Sequence, residues 1–237
     1  MPIQAVEPQR LYRRIAEQIA RLIKRGEYKA GARLPPERDL ARLLQVSRPS
    51  VREALIALEV EGYVEVRVGS GVYVNTAGPG ARRIASPLPS DSGPFELIAA
   101  RRLIESECAA LAARQAGASE VKRMRAALSA MDRDRKRGHM PLGNDRRFHL
   151  EIAEASGNSA LSLAVRTLWD QRTGPLFLRL EHHFDSPVLW EAAIAEHEAI
   201  VSAIEKQDVS AARSAMRRHM DHAARRFQGS WSGDRAT

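Results

Sequence analysis

The sequence predicts a mainly α-helical protein in two parts, a small N-terminal part with a two-stranded β hairpin and a C-terminal all-α antiparallel helical bundle. Apolar side chains recur at helical spacing along most of the 237 residues, a length that suffices for two cores. Strand-like alternation is confined to residues 63–74. Residues 76–93 hold three prolines and three glycines, and their apolar residues show neither helical spacing nor strand-like alternation. We therefore expect a linker there, between an N-terminal domain at 1–75 and a helical domain at 94–230.

The first two helices are predicted from apolar stripes and from the residues at their ends. The first helix ends at Gly26, a residue typical of helix ends. Its stripe consists of Leu11, Ile15, Ile19, Leu22 and Ile23. The second helix begins after Pro35 and Pro36, where proline is tolerated. Its expected buried residues are Leu40, Leu43 and Leu44.

The third helix is predicted to run from Ser47 as its N-cap to about Leu58, and a hairpin follows at once. Residues 63–68 alternate apolar and polar side chains, residues 69–71 supply a turn, and residues 72–74 form the return strand. Three helices with a short turn before the third, followed by a hairpin with glycine at its tip, are typical of a winged helix-turn-helix. In that fold the third helix enters the major groove of DNA.

The charge balance is consistent with a polyanionic partner. The chain has 37 Lys and Arg against 29 Asp and Glu, a formal net charge of +8, which favours nucleic acid or an anionic membrane surface. No segment has eighteen consecutive apolar residues, and the N-terminus lacks the pattern of a signal peptide. The single Cys108 excludes an intramolecular disulfide. We expect a cytoplasmic protein with no membrane partner.

Candidate DNA contacts lie on and around the third helix. Arg48 and Arg52 are four residues apart, so both guanidinium groups are expected on one face, within reach of guanine edges. Ser50 is expected to reach a base edge or a phosphate. Arg38 is placed for the phosphate backbone, and Gly69 lets the wing approach the minor groove closely. The alternative is that these arginines form a solvated helix face.

Residues 33–74 resemble the DNA-binding domain of the GntR family of bacterial transcription regulators. The matching runs are LP-x-ER-x-LA, then VSR-x-x-VREAL, and then the Gly-tipped wing. The resemblance implies a double-stranded DNA operator as partner, and it assigns contact positions to Arg38, Arg48, Ser50, Arg52 and Gly69, with Ser47 capping the recognition helix. Pro49 stands where relatives often carry Thr or a similar small polar residue, so one base or phosphate contact is expected to be missing.

Four residues of the C-terminal part have the spacing of a metal site. Asp145 and His149 are four residues apart on one predicted helix, so they face the same way. His197 and His219 each lie eleven positions from a predicted turn at about Asp208, so an antiparallel hairpin places them at the same height. Three nitrogens and one oxygen suit Zn²⁺ and are acceptable to Ni²⁺ or Mn²⁺. Ordinary hydrogen-bonded side chains are expected for His139, His182, His183 and His222.

The same part resembles the FCD effector domain of the FadR subfamily, whose ligand pattern Asp-x-x-x-His, His and His matches these four residues. The resemblance implies a divalent metal with open positions that takes the carboxylate of a small organic acid. It also implies an Arg in the first helix of the domain that secures the ligand. The matching residue is Arg101 in ARRLIE, with Arg102 as the neighbour that could be confused with it.

A closer likeness is to hexuronate regulators of the ExuR/UxuR type. It is carried by GPFELIAARRLIESECAALAA, by SGNSAL followed by LWDQR, and by RRLY near the N-terminus. It implies galacturonate, glucuronate or their keto-acid products as effectors. It also places Asn158, Trp169 and Arg172 at the border of the sugar-acid pocket. The alternative for Trp169 is an ordinary position in the core.

Three functions are compatible with these patterns, and we favour the first. It is a non-enzymatic, homodimeric repressor that binds a palindromic operator and is shifted by a sugar acid at its metal towards a state that binds DNA poorly. The second is a metal-dependent hydrolase or lyase with an accessory DNA-binding domain, which needs a general base, with Glu105 and Glu151 as candidates. The third is a regulator whose metal is purely structural.

Overall fold

The computed structural model describes residues 10–76, 92–184 and 186–228, and within them the chain forms ten α-helices and one two-stranded sheet. The predicted fold class is confirmed, because a helix-turn-helix with a small wing precedes a helical bundle. The chain divides into two compact units. The first contains the described residues up to Gly93 together with Gly174–His183, and the second contains Pro94–Thr173 with Phe184–Gln228. Most of the predicted linker, residues 77–91, lies outside the described residues.

The first unit begins with three helices, α1 (Leu11–Lys24), α2 (Glu37–Leu44) and α3 (Arg48–Val60). As predicted, Ser47 caps α3, since its side chain accepts a hydrogen bond from the Ser50 amide. Gln45 closes α2 in the left-handed conformation, at φ 53°, and so makes the turn between α2 and α3 short.

Leu43 does not join the core of the first unit as expected, and its side chain lies in solvent with 73% of its surface exposed. The buried residues of α2 are Glu37, Leu40 and Ala41. At about 100° per residue, these three span one face of the short helix, and Leu43 projects well away from it. The prediction was wrong because a helix of two turns buries only one face.

The wing consists of β1 (Val64–Arg67) and β2 (Gly71–Val74), paired antiparallel with Val66 opposite Val72. Gly71 has φ 124°, and a Cβ there would lie 2.6 Å from Nε of Arg33, which passes directly beside it. Only glycine fits this position without displacing a neighbour. The predicted hairpin is confirmed.

From the apolar spacing of the sequence, a single helix is predicted over residues 158–180, but these residues do not form one. They form α7 (Ser159–Asp170), a short 3₁₀ turn (Gln171–Thr173) and the start of α8 (Pro175–Phe184). Pro175 lacks an amide hydrogen and its ring would clash with the preceding turn, so a helix cannot continue through it. The prediction was wrong because the helical spacing of apolar residues continues across Gly174 and Pro175, where the backbone does not.

The second unit is all helical. Its other helices are α4 (Pro94–Gln115), α5 (Ala118–Lys136), α6 (Leu142–Ala155), α9 (Pro187–Glu205) and α10 (Val209–Arg226). Their apolar faces meet in one core whose fully buried members include Met124, Met131, Phe148, Ile200 and Met216. Side chains cap three of the helices in this unit, namely Asn158 for α7, Ser186 for α9 and Asp208 for α10. In the described part of the chain, no helix combines the length and apolarity needed to cross a membrane.

Candidate functional site

The N-terminal turn of α3, the part of this helix that is not buried, carries the first candidate site. The Arg48 side chain is 53% exposed at the first position of α3, although its Nε donates to Glu37 Oε1 at 2.9 Å. Arg38 is also exposed, on α2. The Ser50 and Ser47 hydroxyls are 2.8 Å apart in the first turn of α3. Gly69 lies exposed at the wing tip with φ 78°.

Arg52 lies in a different environment from Arg48, although one turn separates them. Its side chain is 2% exposed, and its Nε and Nη2 atoms lie 2.7 and 2.6 Å from Glu37 Oε2. Burial lowers the pKa of Arg52, while the charge of Glu37 opposes that shift. The structure therefore does not place both guanidinium groups on one exposed face. Sequence reasoning missed Glu37, the buried carboxylate that holds them.

The second candidate site lies in the bundle, where the four predicted ligands come together. Asp145 and His149 lie on α6, His197 on α9 and His219 on α10, and all four are buried. His149 Nε2 lies 3.2 Å from His197 Nε2, and Asp145 Oδ1 lies 3.2 Å from the same atom. One ring nitrogen from each of the three histidines falls within 4.8 Å of the others.

Burial and the neighbouring charges set the pKa values of this cluster. Burial lowers the pKa of His197, and it lowers the pKa of His219 to about 3, so both imidazoles are neutral at pH 7. Burial alone would raise the pKa of Asp145, but contacts with His149 and His197 outweigh it and hold that pKa well below its usual range. His149 differs, because Glu105 and Asp145 outweigh the effect of burial and raise its pKa, so a bound cation would displace its second ring proton. The ionised Asp145 therefore faces two neutral imidazoles and one that loses a proton when a metal binds.

Two further carboxylates, which the sequence analysis did not assign to the metal site, hold the outer nitrogens of two histidines. Glu105 on α4 binds His149 Nδ1 through one oxygen and Arg101 Nε through the other. Glu196 on α9 accepts from His219 Nδ1 at 2.8 Å. Burial would raise the pKa of each carboxyl, but their cationic and imidazole neighbours hold both at about 2. Such carboxylates typically orient metal-binding histidines.

The residues of the cluster fit a metal ion. Asp145 Oδ1 is buried and has no hydrogen-bond partner among the described residues, a costly arrangement unless a cation or donor occupies the space before it. A bond from Nδ1 to an outer carboxylate leaves Nε2 of His149 and His219 with a free lone pair. The donor set of imidazole nitrogens and one carboxylate oxygen is one that Zn²⁺ accepts.

Two guanidinium groups lie over Trp169 beside this cluster. The Cζ atoms of Arg101 and Arg172 are 3.9 and 4.2 Å from the centre of the Trp169 ring. Arg172 Nη1 also lies 3.3 Å from Asp145 Oδ2. The Trp169 ring centre is 5.0 Å from that of His149, and its buried Nε1 has no hydrogen-bond partner in the described part of the chain. Three of the predicted effector residues are thus brought together next to the histidines.

The remaining predicted positions have other partners. Asn158 is exposed and caps α7, where its side-chain oxygen accepts from the amides of Ala160 and Leu161. Arg102, the alternative to Arg101, makes a two-point salt bridge with Asp221 at the surface of α4 and α10. Arg101 is therefore the one of the two that faces the cluster.

Comparison with known families and proteins identifies both parts of the chain. Residues 11–74 match the family of "Bacterial regulatory proteins, gntR family", and residues 96–222 match the "FCD domain". The chain is 40% identical over 230 residues to the Uxu operon transcriptional regulator of Escherichia coli strain K12, covering 94% of this chain and 89% of that protein. It is 37% identical to the Exu regulon transcriptional regulator of the same strain, covering 93% and 85%.

A solved structure of E. coli McbR/YncC supports the fold alone. It matches with a TM-score of 0.51 at 22% sequence identity, over 92% of this chain and 97% of that one. The two family matches together cover most of the chain, and the relatives span nearly all of it. This chain belongs to the gntR family of bacterial regulatory proteins, with an FCD domain as its C-terminal part, and it is a DNA-binding transcription regulator.

Proposed function

We propose that this regulator is a metal-dependent repressor of genes for hexuronate catabolism, which a sugar acid releases from its operator. The observation that carries the proposal is the convergence of Asp145 and three histidines with Arg101 and Arg172 at one buried place. A divalent metal bound there, with Zn²⁺ favoured over Ni²⁺ or Mn²⁺, would supply open coordination positions for a carboxylate. The similarity to the Uxu and Exu regulators favours a hexuronate or its keto-acid product as the ligand.

Each group beside the cluster has a chemical task in this proposal. Arg101 binds Glu105 through Nε, which leaves its two Nη groups for the carboxylate of a ligand. Arg172 supplies a second cation. The Trp169 ring holds both guanidinium groups against its faces, and its unpartnered Nε1 can donate to a sugar hydroxyl.

On DNA, we infer that the chain acts as a homodimer whose two recognition helices read half-sites about one helical turn apart. Arg48 is the residue best placed for a guanine edge because its side chain is exposed at the start of α3. Ser50, Arg38 and Gly69 are proposed to contact the backbone or the minor groove. Arg52 can reach a base only if its buried pair with Glu37 opens.

The enzyme hypothesis receives less support, because both candidate bases already have partners. Glu105 is held between Arg101 and His149, and Glu151 lies beside Arg123 and Arg147. A general base needs an oxygen free to take a proton from substrate. Sensing by a regulator requires no such group.

A thermal-shift screen of Zn²⁺-loaded protein against uronates, aldonates and dicarboxylates tests the proposal. We expect a hexuronate or its keto-acid product to raise the melting temperature and to release operator DNA in a gel-shift assay. Arg101→Ala should keep metal and operator binding but lose this response. A metal that stabilises the protein while no acid changes its stability or operator affinity would contradict sensing and favour a structural metal. Turnover of a uronate would favour the enzyme.

A further inference from the structure

The metal ligands of the bundle differ in how their outer nitrogens are held. Nδ1 of His149 and of His219 each meet a carboxylate, whereas the buried Nδ1 of His197 has no partner among the described residues. Instead, packing holds the His197 ring, with the Phe148 ring centre 4.7 Å away and the His219 ring centre 4.3 Å away. Of the three histidines, His219 is the one whose outer nitrogen is held by Glu196.

Glu196 is itself fixed by three donors from one side of α10. Its Oε2 accepts from His219 Nδ1 and from Arg226 Nη2, and its Oε1 accepts from His222 Nδ1 at 2.6 Å. His219, His222 and Arg226 follow one another at spacings of three and four residues, which places them in one row along the helix. The His222 side chain is 41% exposed, so this row runs from the buried cluster towards the surface.

We propose that Glu196 is the positioning residue of the metal ligand His219, and that His222 and Arg226 hold Glu196 in place for that task. This inference rests on the metal site proposed above. A neutral imidazole carries one ring hydrogen, and a carboxylate that accepts it at Nδ1 leaves Nε2 as the metal-binding lone pair. Without Glu196, the ring can rotate or place its hydrogen on Nε2, and either change removes a ligand from the metal.

The first test uses metal-free full-length protein and so does not depend on any metal. Long-range ¹H–¹⁵N NMR at pH 7 reports which ring nitrogen of His219 carries the hydrogen. We expect the Nδ1–H form in the wild type and gain of the Nε2–H form in Glu196→Ala. Glu198→Ala is the matched control, because Glu198 lies on the same helix and binds Arg125 and Ser202 at the surface. It should keep the wild-type form.

The second test measures the dissociation constant for Zn²⁺ by competition with a chelator. Loss of a carboxylate that orients a metal ligand weakens metal binding about 10- to 100-fold. We expect a loss in that range for Glu196→Ala and a change of less than about twofold for Glu198→Ala. Glu196→Gln keeps one acceptor oxygen but loses the charge, so its affinity should lie between those of the wild type and the alanine variant. It also serves as the probe if Glu196→Ala does not fold.

The two tests separate failure of this inference from failure of the metal site. If wild-type protein binds Zn²⁺, and Glu196→Ala binds it equally tightly with His219 still in the Nδ1–H form, the positioning role of Glu196 is overturned while the metal site stands. If the wild type binds no Zn²⁺, the metal site fails. The NMR comparison then decides the role of Glu196, and an unchanged His219 in Glu196→Ala would overturn it.

Discussion

At the scale of single residues, a carboxylate from a neighbouring helix decides what each arginine of the recognition helix can do. Glu37 on α2 is buried and accepts from both Arg48 and Arg52. Arg48 gives it one bond and keeps an exposed guanidinium group, whereas Arg52 is enclosed with it. One arginine is thus available to DNA, and the other joins α2 to α3.

We expect Arg52→Ala to destabilise the DNA-binding unit by about 3 kcal/mol, because removing one partner of a buried ion pair leaves the other charge uncompensated. Arg48→Ala should change stability by less than about 1 kcal/mol, since the pair is half-exposed, and it should abolish discrimination between operator and random DNA. Native-state hydrogen exchange of α3 amides and a DNA-binding assay measure the two effects.

Arg42→Ala is the control for this comparison. Arg42 is exposed on α2 and pairs with Asp39, so its loss should leave both properties near wild type. An Arg52→Ala protein with wild-type exchange and lost discrimination would instead assign Arg52 a direct role at the operator.

The positions of Asp145 and the three histidines could be predicted from the sequence, but their outer contacts could not. The spacing of Asp145 and His149 is local, and that of His197 and His219 follows from one hairpin, so helical geometry suffices for both pairs. The contact between Glu105 and His149 joins positions 44 residues apart on different helices, and no periodicity encodes it. The convergence of these four side chains was therefore predictable, whereas the carboxylates that contact His149 and His219 required the packed structure.

At the scale of elements, the wing depends on the conformational freedom of two glycines, Gly69 and Gly71. Gly71→Ala should destabilise the wing by about 2–3 kcal/mol, because its φ of 124° lies outside the left-handed region that alanine can adopt and the added Cβ would also displace the Arg33 side chain. Gly69→Ala is the matched variant. It also has a positive φ, but nothing lies within 4 Å of the new atom, so we expect only about 1 kcal/mol.

Hydrogen exchange of the wing amides measures both glycine variants in the same assay. A larger effect at Gly69 than at Gly71 would contradict the assignment of the greater backbone strain to Gly71. Operator affinity should fall in the same order, since the wing is proposed to approach the minor groove.

Errors in the predicted elements have a common physical origin. Leu43 was assigned to the core from apolarity alone, although the rotation of about 100° per residue around the axis of α2 places it away from the buried face. The single helix predicted over residues 158–180 ignored the break at Gly174 and Pro175. Periodicity identified where helices exist, but their ends and exact faces depended on backbone chemistry and on neighbours in space.

The contact between α3 and α8 gives the first unit a pH dependence. Burial would raise the pKa of Glu59, but hydrogen bonds from His183, Arg179 and the Val66 amide outweigh it, so its pKa is lowered from the ordinary value of about 4.5. A lowered pKa in the folded state means that the ionised carboxylate stabilises the fold. That contribution is complete above pH 4.5 and disappears as the pH falls through the folded pKa.

We expect exchange protection of the Val66 amide, corrected for intrinsic rates, to fall as the pH is lowered from 6 to 3 in the wild type. Glu59→Gln should give lower protection at pH 6 and a flatter dependence, because the substituted side chain does not titrate in this range. Glu65→Gln is the control, since Glu65 is exposed on the wing strand and pairs only with Arg67 among the described residues. Equal slopes in the wild type and Glu59→Gln would contradict this assignment.

At the scale of the whole molecule, regulation requires that the effector distinguish two states of the protein. An acid that binds both states equally tightly shifts nothing, whatever its affinity. If an acid weakens operator binding by some factor, then the operator must weaken binding of that acid by the same factor. In the proposed function the metal would be part of the effector site, so its contribution to stability could be measured apart from DNA.

We expect Zn²⁺ to stabilise the second unit by binding to the buried cluster of Asp145 and the three histidines. A ligand present at 100 times its dissociation constant adds about 2.7 kcal/mol to the free energy of unfolding. Two of the three tryptophans, Trp169 and Trp190, lie in that unit, and Trp231→Phe removes the third, so tryptophan fluorescence of that variant during urea unfolding reports on the second unit. We expect Zn²⁺ to raise the urea midpoint of this variant and a chelator to reverse the shift.

In the same background, His197→Ala should lose most of the response, while His139→Ala, changed at an exposed histidine outside the cluster, should keep it. An undiminished response in His197→Ala would place the stabilising ion elsewhere, because a site that loses one of its buried nitrogens cannot retain its full affinity.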